Sequence, residues 1–118
     1  MKAGDVFRFN GIADIHVWMI ISDPSRDPHH VLIVNFTSEA PDLDPVCSII
    51  PGDHPFIQHR TLIQYSRARL VKDEALHQKG RLEMLEPLSP TLLARIRECA
   101  MQSATLRLDY ADILTDQE

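Results

Sequence analysis

Residues 46–69, VCSIIPGDHPFIQHRTLIQYSRAR, hold the densest set of side chains able to do acid–base or anion chemistry. His54 and His59, Tyr65, and the arginines Arg60, Arg67 and Arg69 fall within a few residues of one loop. Histidine titrates near neutrality and serves as general acid or base. Arginine braces two oxygens of an anion with a planar fork. Pro51 and Pro55 restrict the backbone on both sides of Gly52-Asp53-His54, so the loop is expected to hold its histidine in a set direction. One wall of a chemical site is expected here. His16, next to Trp18 in an alternating apolar run, is the other histidine placed for chemistry, although the same position suits a hydrogen-bonded structural histidine.

Other chemistries lack the residues they need. His29 and His30 are adjacent and project to opposite faces of an extended chain, and no His/Cys/Asp cluster has the spacing of a closed zinc site. There is no glycine-rich phosphate loop, no Cys-His pairing and no nucleophilic serine motif. Neither a metal nor a cofactor is expected. Cys47 and Cys99 fall in apolar segments and read as buried free thiols.

The elements that must position these groups are short strands. Residues 6–9 and 12–22 flank the turn pair Asn10-Gly11, a hairpin signal. Alternation in the second run places Ile15, Val17, Met19 and Ile21 on one face and His16, Trp18 and Ile20 on the other. Residues 30–37, HVLIVNFT, are almost continuously apolar and β-branched, as in a central strand. Residues 46–50 and 61–65 give the fourth and fifth strands. Residues 70–79 suggest a turn and a short helix, and residues 81–85 another strand. Ser89-Pro90 opens an amphipathic helix at about residues 90–103, with serine at the N-cap and proline in the first turn. Residues 105–114 alternate Leu106, Leu108 and Tyr110, which suits an edge strand or extended arm. Many short strands and one late helix imply a mainly β domain spanning 1–118, a small bent antiparallel sheet or barrel.

Composition narrows the function. The chain has 118 residues, is 44% hydrophobic and carries a net charge of −5, which counts against non-specific nucleic-acid binding through phosphate neutralisation. The charge is uneven: residues 1–56 hold three bases and eight acids, residues 57–118 nine of each. Arg60, Arg67, Arg69 and Lys72 precede any acid in that second part, giving either a local basic strip or a solvated strand edge. With no charged-then-apolar leader and no apolar run of about 18 residues, a cytoplasmic protein is expected.

Four segments resemble the PemK/MazF (Kid-like) toxin family of toxin–antitoxin systems. Gly4-Asp5-Val6-Phe7 is similar to that family's opening strand. Trp18-Met19-Ile20-Ile21-Ser22-Asp23, followed after a loop by Val31-Leu32-Ile33-Val34-Asn35-Phe36-Thr37-Ser38, resembles its second and third strands, which end in a Thr-Ser pair. Thr61 to Leu70 resembles a later strand and its arginine-bearing extension. Gly80-Arg81-Leu82, then Leu88-Ser89 and a helix, is similar to the closing section. The resemblance implies an SH3-like β-barrel with a C-terminal helix, a homodimer, and a small antitoxin partner. It also implies a metal-independent endoribonuclease that cuts single-stranded RNA and leaves a 2′,3′-cyclic phosphate. Thr37 matches a threonine that helps hold the scissile phosphate. The family's catalytic Arg-Pro pair is replaced here by Ile15-His16, and an acidic residue is common where Tyr65 stands.

Cleavage by an internal 2′-hydroxyl requires a base, an acid and positive charge on the phosphorane. His16, His54, Thr37 and Arg67 are the expected catalytic set, with Trp18, Ser38, His59, Tyr65 and Arg69 binding the substrate. The alternative is a non-catalytic barrel that binds a protein or nucleic-acid partner, having lost the Arg-Pro pair.

Overall fold

A computed structural model describes residues 2–9, 16–23, 30–38, 47–55, 57–78 and 82–115. The first two strands, β1 (Val6–Phe9) and β2 (Trp18–Ile20), are short, whereas β3 (His30–Ser38) spans nine residues and forms the axis of the sheet. Its apolar run is buried from Val31 to Phe36, as a strand covered on both faces must be. Four further strands follow: β4 (Ser48–Ile49), β5 (Thr61–Ile63), β6 (Arg69–Lys72) and β7 (Leu82–Leu85). Every pairing is antiparallel, in the order β4-β5-β3-β2-β1-β7. β6 also pairs with β3, through residues 30–33, while β5 takes residues 36–38. The two share β3 because a 3-10 turn, Tyr65–Arg67, separates them.

Period-2 alternation divides the apolar residues between two cores. Val17, Met19, Ile21, Val34 and Phe36 join the larger, which packs against α2 (Pro90–Gln102) through Leu92, Ile96 and Ala100. Trp18, Ile20, Val31 and Ile33 join the smaller, with Phe7, Phe9 and Leu76; Leu76 comes from α1 (Asp73–Gln78). The Ser89 hydroxyl accepts from the Leu92 amide at 3.1 Å, and Pro90 occupies the first turn of α2, as the sequence predicts. Gly4, at φ +92°, takes a bond from Leu88 N to its carbonyl and donates its own N–H to Ile20 O, both 2.8 Å. This left-handed residue ties the β1–β2 pair to the approach of α2. The outcome is the expected class: mainly β, a barrel-like antiparallel sheet with a helix close to the predicted bounds.

Two segments differ from expectation. Residues 69–72 extend the sheet as β6 before α1 begins. The last segment forms a helix, α3 (Leu108–Thr115), in place of an edge strand. Leu106 and Leu114 are buried, Tyr110 and Ala111 partly so, while Leu108 is 83% exposed. Positions 106, 110, 111 and 114 recur at helical spacing, and tertiary packing selects that period over the alternation. The Asn10-Gly11 turn and Ile15 lie outside the described residues. Among the described residues, no helix is long and apolar enough to cross a membrane.

Candidate active site

Where β3 ends, the beginnings of β2 and β5 lie beside it, because both run antiparallel to it. The register Trp18↔Asn35 continues through Phe36 N to Val17 O (3.0 Å), which sets His16 across from Thr37. On the other side Thr37 faces Leu62 and Ser38 faces Thr61. These strand ends enclose a hollow of about 290 Å³. Its polar lining is His16, Thr37, Ser38, His59 and Thr61, over Val17 and Phe36. The imidazole of His59 meets Ser38 Oγ at 3.0 Å, and Thr61 Oγ1 donates to the His59 carbonyl, also at 3.0 Å. His16 stands edge-on to Trp18, ring centroids 6.5 Å apart. Two histidines and three hydroxyls, that of Thr61 already bonded to the His59 carbonyl, thus share one opening, a set able to move protons and hydrogen-bond an anion. Among the described residues lining it, none is an arginine.

One row deeper on the same face are Trp18, Asn35 and Gln64. Asn35 Nδ2 donates to Gln64 Oε1 at 2.8 Å, and Gln64 N donates to Asn35 O at 2.9 Å. In the next row Arg69 pairs with Ile33, and its guanidinium carbon lies 5.7 Å from the centre of the Trp18 ring.

The hollow therefore takes in four of the nine expected site residues, His16, Thr37, Ser38 and His59, with Trp18 and Arg69 alongside. Three others are placed elsewhere. His54 is only 4% exposed; its Nε2–H donates to the Glu86 carbonyl at 2.5 Å and its ring lies against Phe36. It is not among the lining residues, and an imidazole so enclosed and bonded serves the fold. Tyr65 is also interior, its hydroxyl donating to Ile96 O of α2 at 2.7 Å. That bond fastens helix to sheet and leaves no phenol at the surface for substrate. Arg67 is exposed but sits in the 3-10 turn, off the hollow. The turn breaks the extended backbone that would have aimed Arg67 and Arg69 the same way.

The loop before His54 is itself a structural device. Asp53 accepts from the Ile50 amide at 3.0 Å and from Arg95 Nη2 at 2.9 Å. The Ile50 amide first, then Arg95, holds its carboxyl below the usual carboxylate range. Burial, reinforced by a hydrogen bond with Cys99, pushes the Cys47 thiol up to about 12, so it stays protonated at neutral pH and is no nucleophile. Both cysteines are free, Cys47 buried and Cys99 partly so. Among the described residues, no three His, Cys, Asp or Glu side chains gather as metal ligands would. A larger groove, about 750 Å³, lies beside α2 and α3 but has no histidine in its lining.

Asn35 and Gln64 were missed by sequence reasoning, although a signal was present. Asn35 is the one amide inside an otherwise apolar strand, and a polar group there needs a partner.

No protein-family model matches the sequence, and no curated protein matches it. Among solved structures, the chain is similar to an endoribonuclease in complex with its cognate antitoxin from Mycobacterial species. Identity is 16% and the TM-score 0.57, over 91% of this chain and 95% of that one. The likeness is one of fold, and it agrees with the fold implied by the PemK/MazF resemblance.

Proposed function

We propose that this chain is a PemK/MazF-like endoribonuclease of a toxin–antitoxin system, cutting single-stranded RNA without a metal ion. The observation that carries the reading is that His16 and His59 open into one hollow with the hydroxyls of Thr37 and Ser38. The fold, shared with an endoribonuclease solved beside its antitoxin, supports it. One neutral imidazole takes the proton of the 2′-hydroxyl, whose oxygen attacks the adjacent phosphorus. The bond from phosphorus to the 5′-oxygen breaks, and the second imidazole, protonated, gives its proton to that oxygen. The products are a 2′,3′-cyclic phosphate and a 5′-hydroxyl end. Thr37 and Ser38 hydrogen-bond the phosphate oxygens, and Arg69 attracts the chain from the flank. With no arginine among the described residues lining the hollow, the protonated imidazole also carries the charge-stabilising role, so turnover is slow.

The same reading makes the chain a cytoplasmic single-domain SH3-like barrel, a homodimer, and the partner of a small antitoxin. Incubating the purified protein with single-stranded RNA in excess EDTA tests it. Fragments ending in cyclic phosphate are expected, with kcat reduced about 10²–10⁴-fold in His16→Ala and in His59→Ala. Intact RNA under these conditions contradicts it. The absence of arginine among the described lining residues favours a second reading, a barrel that binds its partner without catalysis, and intact but bound RNA would select that one.

A further inference from the structure

Neither thiol of the chain takes part in the cleavage proposed above, yet the fold brings the two together. Cys47 immediately precedes β4, and Cys99 lies on α2, one turn beyond Arg95 on the same side of the helix. Arg95 reaches across to the sheet, its Nη2 lying 3.4 Å from the carbonyl oxygen of Ser48, the neighbour of Cys47. Tyr65 makes a second tie, its hydroxyl donating at 2.7 Å to the carbonyl of Ile96, three residues before Cys99. Between these ties Cys47 is buried in the larger core with Cys99 packed against that core, and the two thiols hydrogen-bond each other. Their surroundings differ. Cys47 is 3% exposed, whereas Cys99 is partly open to solvent. An accessible cysteine poised beside a second, resolving one is the arrangement found in redox-sensing pairs.

We propose that Cys47 and Cys99 form a reversible intramolecular disulfide when the protein meets hydrogen peroxide. The site is separate from the hollow and does not depend on RNA cleavage. The Cys99 sulfur attacks one peroxide oxygen, the O–O bond breaks, and the thiol proton leaves with the other oxygen as water. Cys99 is then a sulfenic acid. The Cys47 sulfur bonds to the Cys99 sulfur as the S–OH bond breaks, and the Cys47 proton passes to the departing hydroxyl as a second water. Two thiols thus lose two electrons to one peroxide. Enclosure keeps Cys47 protonated and away from the oxidant itself. Once the sulfenic sulfur is in contact, direct proton transfer to the leaving group removes the need for a free thiolate. Reduction by cellular thiols restores the pair, as in cytosolic redox cysteines. The link fastens α2 to the sheet edge that leads to the hollow. Ser48 accepts from Arg60 Nη2 on its Oγ at 3.0 Å and pairs with Leu62, while Ile49 faces Thr61.

The test uses the reduced full-length protein, treated with hydrogen peroxide and then with iodoacetamide. The intact mass is expected to fall by two hydrogens with no alkylation. Digestion without reductant should yield one peptide pair joining Cys47 to Cys99, and dithiothreitol should reverse both results. The melting temperature should rise by roughly 5–20 °C on oxidation, because the link closes about 50 residues of chain. Cys99→Ser, a change at a partly exposed position, should leave Cys47 unoxidised. Cys47→Ser should strand Cys99 as a sulfenic acid that dimedone captures. Two alkylated thiols after peroxide overturn the proposal, as does a link between two chains in place of one within a chain. Overoxidation of Cys99 with Cys47 still free, or a link that forms only in denaturant, overturns it too. The peptide map of wild type decides the matter even where a variant fails to fold.

Discussion

His54 and His59 are five residues apart, and the structure gives them opposite fates. His54 ends a proline-flanked turn whose every element is fastened: Asp53 to Ile50 and Arg95, Gly52 in the left-handed region at φ +101°, and the imidazole to Glu86 O. His59 follows in a plain loop, is exposed, and touches Ser38 across the mouth of a hollow. Conformational restriction therefore marks the histidine that holds the fold together. The histidine available for chemistry is the one positioned merely by preceding a strand that pairs with β3. A rigid turn is expensive in local freedom, and here that rigidity anchors β4 to the approach of α2.

Substitutions can break this contrast. The largest effect is expected on activity: His16→Ala and His59→Ala each lower RNA cleavage about 10²–10⁴-fold with melting temperature almost unchanged. His54→Ala should invert that pattern. Loss of the bond between the buried imidazole and the Glu86 carbonyl costs about 0.5–1.5 kcal/mol, which denaturant unfolding detects, while cleavage per folded molecule stays within about twofold. If His54→Ala abolished cleavage in a folded protein, the contrast would collapse. Tyr65→Phe sharpens it on the structural side: losing the bond to Ile96 O costs about 1–2 kcal/mol, and RNA affinity does not change.

The smallest effect concerns the turn carboxylate. Because Asp53 is held below the ordinary carboxylate range, its contribution is complete above that range and vanishes as pH falls through the folded value. Stability in acid should therefore drop less steeply in Asp53→Asn than in wild type. Arg95 and Asp53 are 45% and 26% exposed, so solvent screening limits the ion pair to roughly 0.2–1 kcal/mol. Parallel unfolding curves for the two proteins from pH 6 to pH 3 would remove the turn's electrostatic role.

Much of the fold was legible in the sequence. The alternation at 17–21, the apolar run of β3 and the Ser89-Pro90 helix start each rest on a local rule that tertiary packing left intact. The final helix was not, since Leu106 and Tyr110 satisfy both a strand and a helical period, and only the core decides between them. Of the expected site residues, His16, Thr37 and Ser38 meet at one hollow because they stand at adjacent strand ends; the family likeness marks Thr37 and Ser38, whereas His16 stands where that family has its Arg-Pro pair. His54 and Tyr65 were misplaced because residue type reveals chemistry but not direction. The 3-10 turn at residues 65–67, which sets Arg67 off the hollow, has no glycine or proline to announce it. Asn35 was visible as a polar residue in an apolar strand, yet its partner 29 residues away was not.

The central claim is that the imidazoles of His16 and His59 share one phosphate while that of His54 does not. Histidine-selective 13C labelling, with an RNA oligomer carrying 2′-deoxyribose at the cut to prevent cleavage, tests it directly. The His16 and His59 ring signals should shift together along one binding curve, with His54 still. Movement of His54 on that curve, or of neither His16 nor His59, would contradict the account.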